Sequence, residues 1–225
     1  EPPMNTNLSF SVPSQVETEC LVAVVLDRGE KDKPAATVES SDAAVRDAAK
    51  DVIAAGEVTG KAFETTLLHR PAGLKAKRLL LVGGGKAKTF SAAELRKLAG
   101  AAARSLKGKS IRSFAFALPE NGIAAPEGAR AVVEGSFVGN FEPDYYKSDR
   151  KDQKIDELTV VTAGDRNAAE EALRIGRIVG ETQNFTRDLV NEPSNRMTPT
   201  MLAERAKKMA AEVGLQCEAY GADKI

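Results

Sequence analysis

Two uninterrupted runs of hydrophobic residues limit what this chain can fold into. Residues 20–26 and 79–82 contain no polar side chain, and each run has the length of a short strand. Successive side chains of a strand point to opposite faces of the sheet, so a strand without polar alternation is typical of burial on both faces. We therefore predict central strands at 20–26 and 78–82, in a sheet that is covered by helices on both sides.

Segments of strand and helix character alternate along the first 165 residues. Ser91 and Glu94 have the spacing of a capping box, in which each side chain binds a free backbone N–H at the start of a helix. Strands that alternate with helices predict a three-layer α/β/α sandwich with a mainly parallel, mixed sheet. Helices are predicted at 41–55, 91–106 and 126–138, and further strands at 7–12, 62–69, 111–118 and 158–162.

The pattern changes after residue 165. Residues 167–190 form one long helical pattern, and Thr198 with Pro199 predicts the start of a second helix that ends at Gly214. Residues 215–220 are predicted to be a strand. We therefore divide the chain into a first α/β domain (1–165), a linker helix (166–190) and the truncated start of another domain (191–225).

The composition argues against several classes of protein. Lys plus Arg equals Asp plus Glu, 32 against 32, and aromatic residues are only 5%, which disfavours a dedicated nucleic-acid or membrane-surface protein. No apolar run approaches the ~20 residues of a membrane span, and no leader opens the sequence. We expect a cytoplasmic protein in which Cys20 and Cys217 are two buried, free thiols.

The charges are nevertheless unevenly distributed. Between residues 70 and 112 the sequence has 12 basic residues and one acidic residue, Glu94. Our interpretation is that these cations pair with acidic segments or face water. The alternative is a docking surface for an acidic partner, including nucleic acid.

No residue can be assigned to catalysis, cofactor binding or metal binding from its local pattern. Gly83-Gly84-Gly85-Lys86 follows a predicted strand, but the glycine spacing fits neither a phosphate loop nor a dinucleotide fingerprint, and we interpret it as a tight turn. His69 is the only histidine and has no partner at metal-ligand spacing. Ser136 and Ser194 lack the G-x-S-x-G pattern of a nucleophile elbow.

Residues 186–195 read TRDLVNEPSN and are followed by Thr198-Pro199 and a predicted helix. This segment resembles the domain junction of the leucyl (cytosol) aminopeptidases. The resemblance covers about residues 16–225. Three upstream segments resemble the amino-terminal domain of the same family: 59–65, 74–83, and Glu134-Gly135 with 145–148.

The resemblance implies that the parent protein is a metallo-aminopeptidase, a hydrolase that removes amino-terminal residues from peptides. It also implies two divalent ions, Zn or Mn, and a hexamer of the parent protein. The family carries its ligands in motifs of the type NTDAEGR and DTGG, and neither motif occurs in this sequence. We therefore expect this chain to be the non-catalytic amino-terminal portion, inactive alone and binding no cofactor itself.

The resemblance also implies a macro-domain-like shape for the first domain. This leaves open a second function, a nucleotide module that binds ADP-ribose. The segments to consider for it are Asp27-Arg28-Gly29 and Gly83-Gly84-Gly85, each of which follows a predicted buried strand. A third possibility is a nucleic-acid or protein docking module that uses the basic stretch 70–112.

Overall fold

A computed structural model describes residues 4–30, 33, 35–143, 146–149, 153–221 and 224. The contacts between residues group the chain into two compact units, Glu1–Thr182 and Gln183–Ile225. The domain boundaries that the sequence predicts at residues 165 and 190 stay predictions. Each unit is described by itself below.

The first unit contains a mixed, mostly parallel sheet, as the sequence predicts. Among the described residues its strands lie in the order β1-β7-β6-β2-β5-β4, and β3 pairs with the carboxyl end of β2. Among the strand pairs of the described residues, only β2–β3 and β4–β5 are antiparallel. The strands are β1 (Asn5–Ser9), β2 (Leu21–Asp27), β3 (Ala36–Val38), β4 (Thr65–His69), β5 (Arg78–Lys86), β6 (Ser113–Ala117) and β7 (Glu157–Val161).

Helices cover both faces of this sheet, which confirms the predicted layers. The first helix, α1 (Ala43–Ala54), buries Val45 and Ala49 against one face. On the other face lie α2 (Ala92–Lys107), α3 (Ala125–Asn140) and the first half of α4 (Arg166–Asn191). Alternate residues of the central strands belong to the two cores: Val22, Val24, Leu80 and Val82 face α2 and α3, whereas Leu21, Ala23, Leu79 and Leu81 face α1.

The helix starts and close contacts have local causes. Ser91 Oγ accepts a hydrogen bond from the N–H of Glu94 at 3.4 Å, which supplies the first half of the predicted capping box. The helices α2 and α3 approach each other closely because Gly135 and Gly139 lie at their contact. A Cβ at Gly135 would overlap the carbonyl oxygen of Arg96, and one at Gly139 would overlap that of Gly100.

The tight turn predicted at 83–85 is wrong, because β5 continues through these glycines to Lys86. Gly83 exchanges hydrogen bonds with the loop at 60–64, donating to the carbonyl of Glu64 and accepting from the N–H of Phe63, both at 2.8 Å. A Cβ at Gly83 would overlap the carbonyl oxygen of Lys61. Gly83 is therefore needed for close backbone approach within the strand, and Gly85 adopts a positive φ of 82° that favours glycine.

In the second unit, α5 (Pro199–Val213) begins as predicted, with Thr198 Oγ1 accepting from the N–H of Met201 at 3.3 Å. The strand predicted at 215–220 is wrong, because these residues are exposed and none of them pairs with a strand among the described residues. Gly214 ends α5 in the left-handed conformation, with φ 74°.

Both cysteines are free, as predicted. Burial raises the pKa of the Cys20 thiol to about 12, so this thiol is protonated at neutral pH. The predicted burial of Cys217 is wrong, since this residue lies in the exposed segment after α5.

We expect the substitution Gly83→Ala to lower the free energy of unfolding by about 2–3 kcal/mol, because the added methyl meets backbone on a rigid loop. The matched control is Gly108→Ala at the end of α2, where φ is −62° and the nearest atom to an added Cβ is 3.5 Å away. That variant should differ from the parent by less than about 1 kcal/mol. Urea unfolding measures both, and equal stabilities of the two variants would contradict the close approach at Gly83.

Candidate binding pocket at the carboxyl edge of the sheet

The residues that the sequence offers for metal chemistry are not brought together. His69 lies exposed at the end of β4, opposite Arg78 in the neighbouring strand. Within the described ranges, no group of three or more His, Cys, Asp and Glu side chains could hold a metal ion. Of the segment 145–148 that resembles the family, Tyr145 lies outside the described residues.

Asp27 and Lys86 close the loop at the carboxyl ends of β2 and β5. The Asp27 carboxylate accepts hydrogen bonds from the N–H groups of Gly29 at 2.9 Å and Ala35 at 3.0 Å. It also forms an ion pair with Lys86 at 2.6 Å, and its side chain is only 12% exposed. The bond to Lys86, helped by the two backbone donors, lowers the pKa of Asp27 to about 2. The structure thus gives this aspartate a local, stabilising role.

The glycine segment of the ADP-ribose alternative is also used within the fold. The N–H of Gly83 donates to the carbonyl of Glu64 and that of Gly85 to the carbonyl of Gly60, each at 2.8 Å. These two donors are consequently not available to a phosphate group.

The loop at 59–64 is held firmly and presents an aromatic side chain. The Glu64 carboxylate accepts from the N–H groups of Thr59 at 2.7 Å and Gly60 at 3.0 Å. Phe63 has a φ of 65°, in the left-handed region that is unfavourable for a bulky residue, and its side chain is half exposed. Its backbone conformation is maintained by the hydrogen bonds on both sides.

Several cations of the basic stretch 70–112 are engaged in ion pairs. Glu134 is buried and lies between Arg96 at 3.0 Å and Arg130 at 2.7 Å, so this pairing joins α2 to α3. Arg70, Lys75 and Lys77 are exposed near the start of β5, at the opposite end of the strand from Lys86. At least five cations of the stretch pair with acids: Lys86 with Asp27, Arg96 with Glu134, Lys97 with Glu94, Lys107 with Glu142, and Arg112 with Asp156.

A pocket of about 360 Å³ lies at the carboxyl ends of β1, β6 and β7. Backbone hydrogen bonds fix its rim, from the N–H of Leu118 to the carbonyl of Val161 at 3.0 Å and from the N–H of Glu120 to the carbonyl of Glu39 at 3.2 Å. The residues around it are mostly apolar, with one carboxylate: Phe10, Ser11, Val12, Pro13, Ser41, Leu95, Leu118, Pro119, Glu120, Ile123, Ala125, Gly128, Val161, Thr162 and Ala163.

The topology explains why a crevice forms at this place. The chain leaving β2 passes through β3 to α1 on one face of the sheet, whereas the chain leaving β6 passes to α3 on the opposite face. Open α/β sheets bind ligands in the crevice where successive connections diverge to opposite faces, outside the carboxyl ends of the strands. Sequence reasoning missed this pocket because Ser41, Glu120 and Thr162 belong to no common motif and meet only through the strand order.

Comparison with known proteins identifies the family. Residues 21–150 match the model of the cytosol aminopeptidase family, N-terminal domain. The chain is 48% identical to a probable cytosol aminopeptidase of Koribacter versatilis, over 98% of this chain and 46% of that protein. A probable cytosol aminopeptidase of Acidobacterium capsulatum is 44% identical, over 99% of this chain and 46% of that protein.

Solved structures agree in fold. A mutant of tomato leucine aminopeptidase superposes with a TM-score of 0.75 at 23% identity, over 95% of this chain and 43% of that chain. The bottromycin maturation enzyme BotP, in a structure with Mn, has a TM-score of 0.68 at 26% identity, over 91% of this chain and 39% of that chain.

The match to the N-terminal domain model defines the class, an α/β domain of a peptidase. The chain belongs to the cytosol aminopeptidase family, and it spans less than half the length of the curated relatives that it matches. Among the described residues, no helix is long and apolar enough to cross a membrane.

We expect Asp27→Asn to destabilise the fold at neutral pH and to change its response to acid. The folded-state pKa of Asp27 is about 2, below the usual value, so its stabilising effect is present above about pH 4 and is lost as the pH falls toward 2. Urea unfolding at pH 7, 4 and 2.5 should therefore show a difference between parent and variant that shrinks on acidification.

The control for this experiment is a double-mutant cycle with Lys86→Met. In the Lys86→Met background, Asp27→Asn should lower the free energy of unfolding at pH 7 by less than it does in the parent. A loss of stability that is the same at every pH, with or without Lys86, would contradict a stabilising Asp27–Lys86 ion pair.

Proposed function

We propose that this chain is the amino-terminal, non-catalytic portion of an aminopeptidase that removes amino-terminal residues from peptides. The observation that carries the proposal is the match of residues 21–150 to the N-terminal domain of the cytosol aminopeptidases, together with relatives that align over nearly the whole chain. The names of these relatives also support a cytoplasmic location for the parent protein.

The chemistry of the parent protein would be supplied by residues other than those described. The family is metal-dependent, and one related structure, that of BotP, is a complex with Mn. The described residues do not fit a dinuclear metal site, since no group of three or more potential ligands among them converges. We propose that two divalent ions, Zn or Mn, are held by the remaining part of the parent protein.

Residues 191–225, which belong to the second unit, are proposed to be the beginning of the catalytic domain. Their large apolar side chains are exposed: Leu202 by 46%, Val213 by 61% and Leu215 by 63%. Burial of such a side chain is worth about 1.5–3 kcal/mol, which favours a role in which another domain covers them. A hexamer of the parent protein would then be formed largely through the catalytic domain.

Two alternatives are less well supported. Among the described residues, the lining of the pocket at the carboxyl edge has no Lys, Arg or His, and this weighs against a phosphate-bearing ligand such as ADP-ribose. Ion pairs within the basic stretch 70–112 weigh against its use as a nucleic-acid surface.

We expect the purified chain to be inactive on leucine p-nitroanilide, and a chimera to be active. The chimera joins residues 1–225 to the remaining carboxyl-terminal part of the Koribacter versatilis relative, and its hydrolysis should require added Mn or Zn. Two controls should show no hydrolysis: the same purification from host cells that do not express the protein, and the chimera treated with a chelator. Metal-dependent turnover by residues 1–225 alone would overturn the non-catalytic assignment, and a folded but inactive chimera would count against the proposed activity.

Hydrogen exchange tests the proposal for the second unit. In α4, Ala169, Ala172, Gly176 and Gly180 are buried, whereas in α5 only Ala210 is. We expect amides of 200–213 in the monomeric chain to exchange much faster than those of 78–82, with 169–180 as an internal reference. Equal protection of 200–213 and 78–82 would place α5 within the first domain and refute the proposed boundary at residue 190.

A further inference from the structure

We propose that the pocket at the carboxyl edge of the sheet binds a small molecule with an aliphatic body and an ammonium group. Such a ligand is a hydrophobic amine or a hydrophobic α-amino acid. All of the described lining residues of this pocket lie in the first unit, Glu1–Thr182.

The dimensions and walls of the pocket suit an aliphatic body. Its volume of about 360 Å³ lies at the small end of the range of ligand sites, which is roughly 300–1,000 Å³. Leu95 at its base is fully buried, and Leu118 and Ile123 are partly buried beside it. An aliphatic group placed here exchanges contact with water for contact with these side chains, which is favourable.

Glu120, which is exposed to solvent, supplies the polar end of the site. Its Oε1 accepts two hydrogen bonds from Ser41, from the N–H at 2.9 Å and from Oγ at 2.7 Å. These bonds fix the orientation of the carboxylate, and within the described part of the chain its Oε2 has no hydrogen-bond donor. A carboxylate held with one oxygen free is a good acceptor for an ammonium group, since charge-assisted hydrogen bonds are the stronger ones.

The charge of the lining gives the selectivity. Glu120 is its one charged residue among those described, so a ligand that is only an anion would place like charges together without a cation to offset them. Arg166 is nearby, but its guanidinium lies over the ring of Phe10 at 4.4 Å and supports that wall from outside the pocket.

Backbone hydrogen bonds within the first unit hold the frame of the pocket. In addition to the bonds at Leu118 and Glu120, the N–H of Thr162 donates to the carbonyl of Ser9 at 2.9 Å, so the chain after β7 is tied to the end of β1. A preformed site loses less conformational entropy on binding than a site that must be ordered.

The test is a titration of the whole 225-residue chain, followed by amide chemical shifts, with leucinamide, leucine and 4-methylpentanoate. We expect leucinamide to shift amides around the pocket and 4-methylpentanoate, which lacks the ammonium group, to bind at least about tenfold more weakly. If leucine binds as well as leucinamide, the site takes amino acids; if leucinamide binds more tightly, it takes amines. Equal affinity for leucinamide and 4-methylpentanoate, or no shifts with leucinamide at tens of millimolar, would overturn the proposal.

Two variants separate binding from folding. Glu120→Gln keeps the acceptor for Ser41 but removes the charge, and because Glu120 is exposed it should weaken leucinamide binding by about two- to fivefold. The matched control is Glu127→Gln, an exposed position in the first turn of α3 outside the lining, which should leave binding unchanged. An equal loss in both variants would show that only general charge matters and would refute the role of Glu120.

Gly128→Ala adds a methyl group between Leu118 and Ile123, at 3.5 Å and 3.7 Å, without overlap. Alanine favours a helix more than glycine does, so this variant should be as stable as the parent or more stable, while leucinamide binds more weakly because the pocket is narrower. Unchanged affinity in a stable Gly128→Ala variant would mean that the ligand does not enter between these two side chains.

Discussion

The burial of β2 on both faces is the constraint on which the first unit depends. Six consecutive residues of this strand, 21–26, are inaccessible to water, and each Leu or Val contributes about 1.5–3 kcal/mol through its burial. Helices are needed on both sides to achieve this, α1 on one face and α2 with α3 on the other. The layered architecture and the parallel neighbours β5 and β6 follow from that requirement.

Close contact between backbone segments is the second requirement, and glycine allows it in two places. In the sheet, Gly83 allows the loop at 60–64 to bind the end of β5. Between the helices, Gly135 and Gly139 allow α3 to lie directly on α2, where the buried Glu134 pairs with Arg96. In both places a larger residue would separate backbones whose packing is part of the core.

The carboxyl edge of the sheet is divided into a closed part and an open part. At the ends of β2 and β5, the Asp27 carboxylate pairs with Lys86 and accepts hydrogen bonds from two backbone N–H groups. These interactions stabilise the loop. At the neighbouring strands β2 and β6, the connections diverge to opposite faces of the sheet. The pocket lies beside this point, at the ends of β1, β6 and β7, and Glu120 and Ser41 border it. The contrast explains why the pocket, and not the glycine segment, is the candidate binding site in this domain.

The sequence by itself determined the layers of the first unit, because unbroken apolar runs and capping residues such as Ser91 act within a few residues of their position. It also carried the family resemblance, which the match over residues 21–150 confirms. The strand order, the three-residue strand β3 and the extension of β5 through Gly83 were decided only by tertiary structure, since each depends on which segments meet from distant parts of the chain. For the same reason no pattern around residue 41 or residue 120 could indicate that Ser41 and Glu120 share one pocket, 79 positions apart in the chain. Residues 215–220 show the converse: their alternating pattern predicts a strand, but they form none where none of the described residues pairs with them.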